Sequence, residues 1–160
     1  MEKIASYFVE GRPHPQGSKT AVNRGGRIFL IEGKGKGTQL WKDWRKTLAE
    51  QTQQYMKENG IEGEYDSIFR VELKFHIKRP ASRSKRVRAV AVRPDLDKLA
   101  RAVLDGISTQ KEDIRLLCDD SRVVELCCQK YYALTGERTG VQIDVYDIID
   151  MKLWPKPEKA

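Results

Sequence analysis

Two pairs of aspartates are the residues best placed to do chemistry. Asp95 and Asp97 sit one residue apart in RPDLDKLARAVLDGIS (93–108), and Asp119 and Asp120 are adjacent in CDDSRVVELCCQK (118–130). Carboxylates are hard oxygen donors, the kind that Mg²⁺ takes while it keeps several waters. Three or four of them, brought together from separate segments, could hold one or two such ions. Two ions about 4 Å apart can relieve charge on both the attacking and leaving oxygens of a phosphate. The chemistry in view is therefore metal-dependent phosphodiester hydrolysis. A plainer reading needs no metal. Asp95 falls where a helix N-cap belongs and Asp97 in the first turn, worth about 0.5–2 kcal/mol for the cap and about 0.3–1 kcal/mol for the dipole contact. A DD pair before a strand is commonly a turn.

The cations around these acids suggest a polyanionic partner. From Lys78 to Pro94 there is no acid, and there are seven bases: Lys78, Arg79, Arg83, Lys85, Arg86, Arg88 and Arg93. Such a run suits either a solvated loop or one that grips phosphates and releases their counterions. Lys19 belongs to an earlier Gly/Pro-rich basic segment, GRPHPQGSKTAVNRGGRIFLIEGKGKG (11–37). Lys98 and Arg101 fall on the polar side of the helix that the aspartates begin. Arg101 lies four residues from both Asp97 and Asp105, so surface ion pairs worth a few tenths of a kcal/mol would also account for it. Lys130 could neutralise charge at the site or be a solvated strand lysine. Residues 1–94 carry 20 Lys/Arg against 10 Asp/Glu, and residues 95–150 carry 7 against 12, within a net charge of +7. A basic body with an acidic centre suits nucleic acid joined by a divalent cation.

Rival constellations are weak. His14 and His76 lie far apart, no Walker A loop occurs, and GKGKG at 33–37 matches a phosphate loop in composition only. Cys118, Cys127 and Cys128 lack disulfide or zinc spacing and read as small buried hydrophobes in a reducing compartment.

The elements that must position the acids follow from periodicity. Leu96, Leu99, Ala100, Val103, Leu104 and Ile107 make an amphipathic stripe, so a helix begins near Asp95. A longer helix, from Thr38 as candidate N-cap to a stop at Gly60, carries Leu40, Trp41, Trp44, Leu48, Tyr55 and Met56. FRVELKFHIK (69–78) alternates as a strand, with further strands near 4–9 and 27–31. A loop, with room for a short helix, spans 108–118. RVVELCCQKYYAL and GVQIDVYDI then read as two strands joined by a turn around TGERTG. The expectation is one α+β domain over 1–150: a small, mostly antiparallel (mixed) sheet of four to five strands with two principal helices packed on it. Residues 151–160 read as a tail, pinned if at all by Trp154. No run approaches the ~20 apolar residues of a membrane span, and nothing resembles a signal peptide, so a cytoplasmic, membrane-free protein is expected.

With these residues in place, RPDLDKLARAVLDGIS followed by CDDSRVVELCCQK resembles the RusA family of Holliday junction resolvases. The resemblance rests on Asp95, Leu96, Asp97, Leu99, Asp105, Gly106, Ile107, Asp119, Asp120, Val123 and Lys130. VEGRPHPQGSK (9–19) is similar to the family's weaker segment after its first strand. The resemblance implies a homodimeric, often phage-encoded nuclease that nicks two strands of a four-way DNA junction symmetrically, in recombination and repair, using Mg²⁺ or Mn²⁺. It implies Asp95, Asp97 and Asp120 as catalytic metal ligands, with Asp119 as a neighbour or further ligand. The family's helix lysine falls on Arg101, its asparagine on Lys98, and the loop between Asp105 and Asp119 is a few residues longer here. Arg79, Arg83, Lys85, Arg86, Arg88, Arg93, Lys98, Lys130 and Lys19 are the candidate DNA contacts. A non-catalytic branched-DNA binder and a general nuclease of branched or flap DNA are the alternatives. Trp41, Trp44 or Tyr131–Tyr132 could face a second copy or simply fill the core.

Overall fold

The strand Phe69–Ile77 is the axis of the molecule. The computed structural model describes residues 1–17, 20–31, 36–111 and 113–149. Lys19, the first part of GKGKG, and Trp154 with the 151–160 tail lie outside the described residues. The elements in chain order are β1 (Glu2–Glu10), β2 (Thr20–Arg24), β3 (Arg27–Ile31), α1 (Lys36–Glu58), β4 (Phe69–Ile77), α2 (Leu96–Ile107), β5 (Val123–Tyr132) and β6 (Gly140–Asp147). Four strands form a mixed sheet in the order β1-β6-β4-β5, and β2 and β3 form a separate hairpin. The fold is α+β, as the periodicities predict.

Alternation fixes the faces of the sheet. Phe69, Val71, Leu73 and Phe75 are buried beside Val141, Ile143 and Val145 of β6 and Ala5, Tyr7 and Val9 of β1. Both helices cover this face. α1 contributes Trp44, Leu48 and Met56, and α2 contributes Leu99, Val103 and Ile107, the last three fully buried. Each of those three is worth on the order of 1.5–3 kcal/mol relative to an exposed side chain. The opposite face carries Glu72, Lys74 and Gln142.

Gly106 permits the helix crossing. A Cβ there would stand 2.8 Å from Leu48 Cβ on α1, so this glycine of the motif serves packing.

Several boundaries and partners differ from the sequence reading. α1 begins at Lys36, which leaves Thr38 inside its first turn. Leu40 is exposed, and Thr52 takes the inner position in the stripe, its hydroxyl 3.0 Å from that of Tyr7. β5 and β6 are joined by the expected turn but do not pair: β4 lies between them, parallel to β5 and antiparallel to β6. β4 and β5 therefore need a crossover, and α2 supplies it. The described residues of the 108–118 segment form no helix; the short 3₁₀ turn is Asp120–Arg122. Contrary to the expected burial, Cys118 and Cys128 are half-buried and Cys127 is exposed, because Cys127 pairs with Glu72 on the face that the helices leave uncovered. Trp41, Trp44 and Tyr132 belong to the buried interior. No described helix is long and apolar enough to cross a membrane.

Candidate active site

The start of α2 is where the two readings of Asp95 and Asp97 meet. Asp95 has the extended backbone of an N-cap, and Leu99 N–H donates to its carbonyl at 3.1 Å. Its carboxylate accepts no cap hydrogen bond and instead lies 3.2 Å from Lys98 Nζ. The capping expectation therefore holds for the backbone and not for the side chain. Asp97, in the first turn, is exposed and makes no hydrogen bond or ion pair among the described residues.

The turn that presents Asp95 is held from the sheet. Lys130 pairs with Phe75 across the parallel ladder, so its side chain rises on the helix-covered face. Its ammonium donates to the carbonyls of Val92 at 2.8 Å and Pro94 at 2.7 Å. The lysine read as either a charge neutraliser or a solvated strand residue is in fact a clamp on the 92–94 backbone.

The second acidic pair arrives by a loop that closes on itself. Thr109 N–H donates to Leu117 O at 2.8 Å and Leu117 N–H to Ile107 O at 3.1 Å, so the excursion 110–116 starts and ends at one place. Its exit is thereby held beside its entry. Arg115, 7% exposed, fastens it: its guanidinium donates to the carbonyls of Asp105 (3.1 Å) and Gly106 (3.0 Å) and to the Asp113 carboxylate (2.6 Å). A buried cation at the last carbonyls of α2 suits the negative end of the helix. Sequence reasoning passed over Arg115; its only signal was a basic residue between Asp113 and an apolar pair. Beyond the loop, Asp119 accepts from Ser121 N–H at 2.8 Å, making the turn that the plain reading expected. The Ser121 side chain, and after it this backbone bond, holds the Asp119 carboxyl below its ordinary value.

Asp97 and Asp120 line one small cleft of about 500 Å³, together with Arg101, Leu96, Leu104 and Leu126. Burial pushes the Asp120 carboxyl up, and the neighbouring Asp105 and Asp119 carboxylates push it the same way. Asp105 is thus a third carboxylate at this turn, one that the sequence reading treated as part of the motif and gave no role. Asp95 opens instead onto a larger groove of about 1430 Å³, whose cations include Arg12, Arg79, Arg93, Lys98 and Arg101. Arg101 borders both spaces. Neither expected ion pair of Arg101, to Asp97 or to Asp105, is formed.

The basic run divides by what its members touch. Arg79 donates to the carbonyls of Ser84 and Val87 and covers the Tyr132 ring at 5.0 Å, so it shapes the loop. Tyr132 N–H, donating to Arg88 O at 2.8 Å, ties the loop to β5. Arg83, Lys85, Arg86 and Arg93 are exposed, with no ion pair among the described residues.

The donor chemistry fits a hard cation: oxygen ligands, two of them on one cleft, with Asp120 crowded by like charge that a cation would relieve. The fit comes in two halves. Among the described residues, no three Asp, Glu, His or Cys side chains are gathered as a ready ligand set. Among known families, the one described as Endodeoxyribonuclease RusA matches residues 10–144 of the 160. No curated protein matches the chain.

Proposed function

The chain belongs to the RusA endodeoxyribonuclease family, and from that premise we propose that it is a structure-selective endonuclease that resolves four-way DNA junctions by paired, symmetric nicks. The observation that carries this reading is the meeting of Asp97 and Asp120, from separate segments, in one cleft beside a cationic groove. Asp95, Asp97 and Asp120 would hold Mg²⁺ or Mn²⁺, with Asp119 alongside. When bound, such an ion activates water and relieves charge on the attacking and leaving oxygens. Arg101 borders both spaces and would screen the charge that develops on the phosphate. Lys98 engages Asp95 and would release it when an ion competes. Exposed Arg83, Lys85, Arg86 and Arg93 would grip backbone, which positions a duplex without reading its sequence. Acting as a homodimer, the protein would bring two such sites to opposed strands.

A second reading, a branched-DNA binder without turnover, draws on two observations. Arg101 stands at the position of the family's lysine, and Asp95 is tied to Lys98. One assay separates the two: a synthetic four-way junction, a linear duplex and a flap, each with Mg²⁺. Paired nicks confined to the junction are expected. Tight binding with no nick under Mg²⁺ or Mn²⁺ would establish the binder, and nicking of all three substrates would establish a general nuclease.

A further inference from the structure

The β2–β3 hairpin stands apart from the core. None of its described side chains belongs to the buried cluster, and its strands share no register with the main sheet. A lone two-stranded hairpin is marginal in water at best. This one is also apolar on both sides. Val22, Phe29 and Ile31 share one face; Ala21, Ile28 and Leu30 share the other. Ile28 is 74%, Phe29 48% and Leu30 67% exposed. Its tip is tightly defined: Gly25 and Gly26 take positive φ of 59° and 78°, and Gly26 N–H donates to Asn23 Oδ1 at 3.1 Å.

The charges say what covers it. Arg24 and Arg27 are directly opposed across the tip, and no acid occurs between Gly11 and Ile31. Like charges so placed repel, and an anion between them removes the penalty. The segment leading to the arm is docked on the active-site helix, Gln16 N–H donating to Lys98 O at 3.3 Å, and Gln16 and Gly17 line the cationic groove. A second copy pairing through the same hairpin would bring the same two arginines and no acid to meet them.

We propose that the Thr20–Ile31 hairpin is a wedge for branched DNA: Arg24 and Arg27 take phosphates, and Phe29, Ile28 and Leu30 press on base faces left unstacked at the branch point. A blade apolar on both faces suits insertion between two stacks, as apolar side chains do when they part base steps. Continuous duplex offers no such faces, so the arm favours junctions. This rests on the junction reading above.

The test uses the full chain in metal-free buffer and a four-way junction with 2-aminopurine at the branch point. Binding of the unaltered protein raises the fluorescence as the base unstacks. Ile28→Thr, Phe29→Thr and Leu30→Thr together keep strand propensity. They should abolish that rise and weaken junction binding about 10- to 100-fold, as the loss of base stacking would. Duplex affinity and the mass by light scattering should not change. Phe29→Trp should keep the signal. A halved mass would make the arm a contact between copies and overturn the wedge, as would equal losses on junction and duplex, or no loss at all. An unaltered protein with no preference for junction over duplex refutes the junction reading and the wedge with it. A preference that the triple variant keeps refutes the wedge alone.

Discussion

The cationic groove and the acidic cleft lie on either side of Arg101, and they use their charges in opposite ways. In the groove, much of the charge is already committed. Lys130 of β5 holds the Val92 and Pro94 carbonyls of its wall, Arg79 folds its own loop, and Lys98 pairs with Asp95. In the cleft, Asp97 is unpartnered among the described residues and Asp120 is crowded by other carboxylates. A cation wired into backbone carbonyls builds a site, whereas exposed carboxylates that face one another without a protein partner are available to a cation. The two regions should therefore fail differently when altered.

The largest effect is expected in the cleft. Asp97→Asn should lower single-turnover cleavage of a four-way junction by about 10³-fold, the loss of several kcal/mol of transition-state charge stabilisation. Binding should be unchanged or tighter, since one negative charge has been removed from the DNA face. If the variant cleaves normally, the cleft is ornamental and the plain reading of these aspartates stands.

Next comes the clamp. Lys130→Met removes two charge-assisted hydrogen bonds from the turn that carries Asp95, and each such bond is worth about 1.5–3 kcal/mol. The cleavage rate constant should fall about 10- to 100-fold while junction affinity moves less than threefold. Lys130→Arg, which keeps charge and donors, should recover part of the rate. A drop in affinity with the rate intact would instead make Lys130 a DNA contact and erase the distinction between committed and free cations.

That distinction was the part the sequence concealed. The stripe of Leu99, Val103 and Ile107 and the alternation of Phe69 to Phe75 were legible because burial follows period, and they led to the α+β sheet and the position of Asp95 at a helix start. The two aspartate pairs stood out beside an acid-free basic run, but a helix start and a turn also account for Asp95 and Asp119, so residue type alone left their chemistry an expectation. Strand order was not legible: β5 and β6 both alternate, and nothing local says that β4 separates them. The hairpin partner β2 was missed although Gly25–Gly26 signalled its turn, because TAVNR is too short and mixed to stand out. The roles of Lys130 and Arg115 depend on carbonyls 36 to 38 and 9 to 10 residues away. No reading of residue type distinguishes such a clamp from a free cation.

A smaller effect should come from the uncommitted cations. Replacing Arg83, Lys85 and Arg86 with Ala should leave cleavage chemistry intact at saturating protein and flatten the salt dependence of binding. The slope of log affinity against log salt should drop by ~0.9 for each phosphate that is no longer neutralised. An unchanged slope would take this loop off the DNA surface and leave Arg93 and Arg101 as the groove's grip.

The smallest effect is expected at the boundary itself. Arg101 borders both regions, and its guanidinium can fork onto a phosphate but does not readily release a proton. If its work is electrostatic, Arg101→Lys substitutes one positive charge for another and should change the cleavage rate less than about threefold, with the same pH profile. If the position calls for a proton donor, lysine can supply what arginine cannot, and the rate should rise tenfold or more with a new descending limb at alkaline pH. The first outcome assigns Arg101 to the same passive electrostatics as the groove. The second would move it into the cleft's chemistry and make this chain a slow member of its family for want of one exchangeable proton.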